Sequence, residues 1–233
     1  MTDLNTARNT QRLNKFVALS LGVSRRKADE LIEKGKIIVD GQPARLGQQI
    51  SEVNHVSYNG NSLKIQYKKI IALNKPVGYL CSRASQGGVP TIYKLLPKSL
   101  HHLKPVGRLD KDSSGLILLT NDGDFAHQMT HPSFYKIKRY LVTLDQPLQP
   151  LHRQMINDFG VQLPDGPSRL TLERQHDGDD RRWIVQMSEG RNRQIRRTFA
   201  ALGYTVAKLH RTDFGSYSLG SLKKGQWIEE KIN

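Results

Sequence analysis

Asp110 and Asp112 sit in a polar loop, Gly107-Arg108-Leu109-Asp110-Lys111-Asp112-Ser113-Ser114-Gly115, that feeds the apolar run Leu116-Ile117-Leu118-Leu119. A loop at the end of a buried strand stands at the rim of a core, where a ligand can reach it. A carboxylate placed there can be a nucleophile, a general base, or an anion that stabilises developing positive charge. It can also bond its own backbone in a plain turn, the better reading of an Asp loop standing alone. Tyr140, in Lys138-Arg139-Tyr140-Leu141-Val142, offers an aromatic face on a strand. Arg193, Arg196 and Arg197, in Ser188-Glu189-Gly190-Arg191-Asn192-Arg193-Gln194-Ile195-Arg196-Arg197, offer cations for a carboxylate or a phosphate.

Other chemistries lack their residues. No GxxxxGK[ST] loop, GxGxxG turn or GxSxG elbow occurs. His127 and His131 are spaced i, i+4, but no HExxH glutamate lies between them and Pro132 ends the helix at once. The single cysteine, Cys81, rules out an intrachain disulfide. Zinc is not expected at the pair His127 and His131. Met1 to Thr10 lacks the apolar stretch of a signal peptide and no apolar run is long enough to span a bilayer, so a cytoplasmic protein is expected.

The chain has 233 residues and a net charge of +15. Such a field gains nothing from a neutral partner, whereas a polyphosphate releases counterions at every contact, so nucleic acid is the leading partner. The charge is spread along the chain, with a net of +5 over residues 1–68 and +10 over 69–233.

The elements that must position these residues begin with a polar tail, 1–10. Leu13, Phe16, Val17 and Ser20 share a helical face in Arg12 to Leu21, and Gly22 closes that helix. Ser24 caps a second helix through Lys34, with Ala28, Leu31 and Ile32 inward. Asp40-Gly41 and Asn59-Gly60 are tight-hairpin signals, the second between strands at Val53 to Tyr58 and Leu63 to Ile65. The module 11–67 reads as a nucleic-acid clamp carrying Arg12, Lys15, Arg25, Arg26 and Lys27, with Tyr67-Lys68-Lys69 as a linker. Beyond it, 68–233 is strand-rich. Strands are expected at Ile70 to Leu73, Leu116 to Leu119, Tyr140 to Leu144, Trp183 to Met187 and Val206 to Leu209, and helices near Gly123 to Thr130, Pro150 to Phe159 and Asn192 to Leu202. The fold class is α+β: a small helix-pair and hairpin module, then a mixed, largely antiparallel sheet. Asn192 is the expected cap of the last helix, which puts Ile195, Phe199 and Leu202 on its apolar face and Arg196 at the flank.

The string Val106 to Gly123 resembles the catalytic signature of pseudouridine synthases, Gly-Arg-Leu-Asp followed by small polar residues and Gly-Leu. Leu73-Asn74-Lys75-Pro76-Val77-Gly78, the block around Tyr140 and the block Ser188 to Arg197 continue the likeness in the family's order. Residues 10–67 resemble the small RNA-binding domain named after the fourth small-subunit ribosomal protein, through Arg12-Leu13-Asn14-Lys15-Phe16, Gly22 to Ala28 and Val39-Asp40-Gly41. Together they are most similar to the bacterial ribosomal RNA branch of the family. Its small-subunit-type enzymes are slightly nearer, through Tyr140-Leu141-Val142-Thr143-Leu144 and Gly160-Val161-Gln162-Leu163. Arg193 and Arg196 stand where some relatives have His and Lys.

The resemblance implies that a specific uridine of ribosomal RNA is isomerised to pseudouridine without a cofactor. Asp110 would be the catalytic carboxylate, Tyr140 would pack on the flipped uracil, and Arg196 would pair with Asp110. Arg108 would help fill the space left by the displaced nucleotide, Arg193 and Arg197 would hold phosphates, and Lys75-Pro76 would support the catalytic loop. The implied partner is ribosomal RNA or a partly assembled ribosomal subunit, met by a monomer. The competing readings are a non-catalytic RNA-binding or ribosome-assembly protein, and an enzyme using the clustered Asp residues for metal-dependent phosphate chemistry.

Overall fold

The computed structural model describes residues 10–64 and 67–231. The chain divides into two compact units, Met1–Lys68 and Lys69–Asn233. Of the expected polar tail only Thr10 lies within the described residues.

In the first unit, helices Leu13–Leu21 and Arg25–Glu33 bury Leu13, Val17, Ala28 and Ile32 against Ile37, Val39, Ile50 and Val56. Ser24 caps the second helix by accepting from the Lys27 amide at 3.1 Å, and Gly22 ends the first in the left-handed region with φ 68°. Asp40-Gly41 and Asn59-Gly60 both take positive φ at both positions, the geometry of the type I′ turn. Such a turn pairs the residues that flank it directly, so Val39 meets Gln42 and Tyr58 meets Asn61. The return strand is therefore Asn61–Ser62 rather than the expected Leu63 to Ile65. Leu63 and Lys64 lie past its end, and Ile65 is outside the described residues.

The second unit is built on a nine-stranded sheet. Its central path runs Thr171–Arg174, Arg182–Met187, Lys138–Leu144, Val206–Phe214, Ser114–Thr120, Ile70–Lys75, Trp227–Glu230. One junction of this path is parallel, between Val206–Phe214 and Ser114–Thr120, and the others are antiparallel. The fold is mixed α+β with a largely antiparallel sheet. Ile71, Leu73, Ile117, Leu119, Val142, Trp183 and Phe199 belong to one core cluster, and Ala72, Leu116, Leu118, Met129 and Phe214 to another. Alternate residues of the Ile70 and Ser114 strands fall in different clusters, as expected of strands buried on both faces.

The parallel junction places the site. It pairs His210 with Ser114 and Arg211 with Gly115, bringing the loop before Ser114 against the middle of the Val206–Phe214 strand. The approach is so close that a Cβ on Gly115 would stand 2.1 Å from the Arg211 carbonyl oxygen, and φ there is +106°, so glycine is required.

Candidate active site

A cleft of about 430 Å³ opens beside that junction, lined among others by Gly107 to Asp110, Lys138, Tyr140, Glu189, Arg193, Gln194, Leu209, Arg211 and Phe214. Asp110 and Tyr140 thus face one space although they come from a loop and from a strand two places away in the sheet. Arg108 also lines the cleft and is exposed.

The Asp110 loop is tied down by its backbone. Ser113 N–H donates to the Asp110 carbonyl at 3.1 Å, Gly78 N–H to the Lys111 carbonyl at 2.7 Å, and Leu109 N–H to Cys81 Sγ at 3.4 Å. Lys75, wholly buried at the end of the Ile70 strand, donates from Nζ to the carbonyls of Pro76 (3.1 Å), Asp110 (2.9 Å) and Ser113 (2.6 Å). Three acceptors match the three protons of an ammonium. Burial pulls the Lys75 pKa below its ordinary value, opposed by Cys81, Asp110 and Asp112.

The expected partner of Asp110 differs. Arg196 donates to the Val206 carbonyl at 2.7 Å and the Asp112 carbonyl at 2.9 Å, and its Nε stands 3.3 Å from the Asp112 carboxylate. Arg193 instead reaches Asp110, with Nη1 at 3.5 Å from Oδ2, and also Asp112 at 3.2 Å. The reason lies in the start of the helix. It runs Gln194–Ala200, so Asn192 is outside it and Arg193 holds the capping position in the left-handed region, φ 47°, without a side-chain cap. That twist releases Arg193 from the helix face and points it at the loop, while Arg196, on the first turn, meets the loop one residue pair further on.

Asp112 is thereby held by two guanidiniums. Burial pushes its carboxyl up, but the hydrogen bond from Arg193 and the charges of Arg196 and Arg193 outweigh this and leave it below the usual carboxylate range. Arg197, expected to hold phosphate, is engaged with Asp165 through Nη2 at 2.7 Å and Nη1 at 3.1 Å.

Sequence reasoning missed several groups. Gln194 is buried, accepts from Arg191 N–H at 3.1 Å and donates to Ser168 Oγ at 3.0 Å and to the Glu189 carboxylate. Lys138 Nζ donates to the carbonyls of Lys136, Ser188 and Glu189 at 3.3, 3.0 and 3.3 Å. Burial, then the nearby Arg211 charge, lower its pKa to about 8 against the pull of Glu189. Arg211 is buried beside Tyr140. The alternation Leu209, Arg211 along one strand face was the available signal. His127 and His131 lie with ring centres 4.7 Å apart and planes tilted by 52°, and among the described residues no cluster of three or more His, Cys, Asp or Glu is placed to hold a metal ion.

Residues 69–201 match the RNA pseudouridylate synthase family, and residues 11–56 match the S4 domain. A Yersinia pestis protein named ribosomal small subunit pseudouridine synthase A is 36% identical, the match covering 89% of this chain and 89% of that protein. A second from Yersinia pestis, named ribosomal large subunit pseudouridine synthase B, is 34% identical over 94% of this chain and 72% of its own length. A crystal structure of a pseudouridylate synthase superposes with a TM-score of 0.67 at 34% identity, covering 94% of this chain and 96% of that one. With the catalytic-type loop, the strand tyrosine and the arginine helix gathered on one sheet and matched along nearly the whole chain, the protein belongs to the RNA pseudouridylate synthase family and carries an S4 domain in its first unit.

Proposed function

We propose that this chain isomerises a specific uridine of ribosomal RNA to pseudouridine, free or in a partly assembled subunit, in the cytoplasm and without a cofactor. The observation that carries the reading is the shared cleft of Asp110 and Tyr140, with Arg193 beside the carboxylate. The target base leaves its stack and packs on Tyr140, at a cost that stacking and phosphate contacts offset. Asp110 acts at the ribose carbon as the bond to ring N1 breaks, and assists removal of the C5 proton after C5 has bonded to that carbon. Arg193 holds a positive charge 3.5 Å from the Asp110 carboxylate, and Arg196 braces Asp112 so that the loop keeps its shape. The test is tritium release from ribosomal RNA labelled at uridine C5, assayed in EDTA on RNA of both subunits. Release in EDTA is expected; none from either RNA would sink the reading, and release restored only by a divalent ion would favour metal chemistry.

The first unit supplies affinity in this reading. Arg25 and Arg26 are exposed in the first turn of their helix, where positive charge opposes the helix dipole and does nothing for stability. A cationic helix start attracts phosphate, and Arg12, at the cap of the preceding helix, and Lys15 within that helix extend the same reading. Lys27 contributes less, being paired with Glu30 at 2.7 Å. Arg25→Ala with Arg26→Ala is expected to lower the salt slope of RNA binding by about two, with the rate at saturating RNA retained. An unchanged slope in a titration across salt concentrations would refute the clamp.

A further inference from the structure

The cleft contains a cation that the roles above leave unused. Arg211 is 2% exposed, lies past residue 201 where the family match ends, and lines the same space as Asp110 and Tyr140. Its Nε donates to the Leu116 carbonyl at 2.7 Å and its guanidinium carbon stands 4.8 Å from the Phe214 ring centre. Its Nη2 is buried and meets no hydrogen-bond partner. Three other cations of the wall are engaged: Arg193 with Asp110 and Asp112, Arg191 with Asp165 and Glu189, Lys138 with three carbonyls. Among the described residues, no carboxylate stands within ion-pair distance of Arg211. A buried charge without a counter-charge destabilises a fold, so one in the floor of a functional cleft points to a partner that arrives with the substrate.

Its position narrows what that partner is. Arg211 is the cross-strand neighbour of Tyr140, and directly opposed side chains on antiparallel strands stand about 4.5–5.5 Å apart at Cβ. A ring packed on Tyr140 therefore presents an edge to Arg211. A phosphate is bulky and hydrated and suits a cation at the rim, such as the exposed Arg108. A sealed guanidinium suits what a flipped base carries in, its ring carbonyl oxygens. The reaction makes those oxygens anionic. As the bond from ribose C1′ to N1 breaks, its electron pair stays on N1 and the charge spreads onto O2 and O4. The ring turns, C5 bonds to C1′ to give a neutral adduct, and the C5 proton then passes to a base while N1 takes up a proton, so the product is neutral and nothing is oxidised or reduced.

We propose that Arg211 is a further catalytic residue, its Nη2 donating to a carbonyl oxygen of the uracil on Tyr140 and stabilising the anion formed as the ring detaches. This rests on the reading of the chain as a uridine isomerase. The hydrogen bond strengthens as charge develops, so it acts on the rate of bound RNA and not on affinity.

The test is single-turnover rates on RNA fragments with uridine, 2-thiouridine or 4-thiouridine at the modified position, for wild type, Arg211→Lys and Arg211→Met. Sulfur accepts hydrogen bonds more weakly than oxygen. Arg211→Met is expected to slow bound RNA about 10²–10³-fold with RNA affinity retained, and Arg211→Lys to fall between. One of the two thio substitutions should slow the wild type more than it slows either variant. Weaker RNA binding with a salt slope lower by about one and an unchanged bound-state rate would assign Arg211 to a phosphate and overturn the proposal. Equal thio penalties in all three enzymes would overturn it as well. Should thermal melting show Arg211→Met unfolded, Arg211→Lys decides by the same thio comparison. A wild type that makes no pseudouridine from unmodified uridine would instead sink the isomerase reading itself.

Discussion

Asp110→Asn is expected to cut tritium release from C5-labelled RNA by at least about 10³-fold while leaving the fold intact. Asparagine keeps the shape and removes the charge. The Asp110 carbonyl, which is the atom that Lys75 holds, is unaffected by the change. The side chain is 33% exposed, and Arg193 retains Asp112 as a partner, so the stability change should stay within about 0.5 kcal/mol. RNA affinity should hold or rise, since one negative charge leaves a cleft that receives a polyanion. Asp112→Asn is the control. That carboxylate is matched by Arg193 and Arg196 and acts as a strut, so its removal should loosen the loop and cost about 10-fold through misplacement. Undiminished release by Asp110→Asn would remove it from the chemistry, and equal losses in both variants would mean that the loop's total charge matters rather than one carboxylate.

What was legible in the sequence follows from local rules. The two type I′ turns are written in Asp-Gly and Asn-Gly, the cap at Ser24 in its position before a helical period, and the strands Ile70–Lys75 and Ser114–Thr120 in their apolar runs. What was hidden depends on residues distant in sequence or on charge turned inward. The expected strand Val206 to Leu209 stops where His210, Arg211, Thr212 and Asp213 break the apolar pattern, yet the strand runs on to Phe214. Pairing with Lys138–Leu144 on one side and Ser114–Gly115 on the other keeps those polar residues extended. Arg211 was passed over for that reason, because a pattern reading sends arginine outward even where, as with Leu209, the alternation puts it on a buried face. The exchange of Arg193 for Arg196 beside Asp110 has a similar origin. Helix starts shift by a residue or two, and a left-handed Arg at the capping position is a costly conformation that no propensity favours. It is adopted where ion pairs with Asp110 and Asp112 compensate.

Lys75→Met should be the most damaging change away from the reacting atoms. Lys75 is buried completely, and its ammonium binds three carbonyls, two of them, Asp110 and Ser113, in the Asp110 loop. Methionine fills much of the same volume but donates no hydrogen bond, so it leaves the carbonyls bare at roughly 1–3 kcal/mol each where they stay buried. Removing the charge returns part of this, because burial already disfavours the protonated lysine. The balance is a loss of about 2–4 kcal/mol from a total of about 5–15, read as a lower midpoint in urea at unchanged slope. The loop should then relax, and a shift of about 1 Å at a reacting carboxylate costs about 10²-fold in rate. Lys75 is a positioning residue in this account, so the loss should fall on the rate of bound RNA and leave the salt slope of binding where it was. Full stability with full activity in Lys75→Met would show that the turn at Ser113 and the Gly78 to Lys111 hydrogen bond hold the loop unaided.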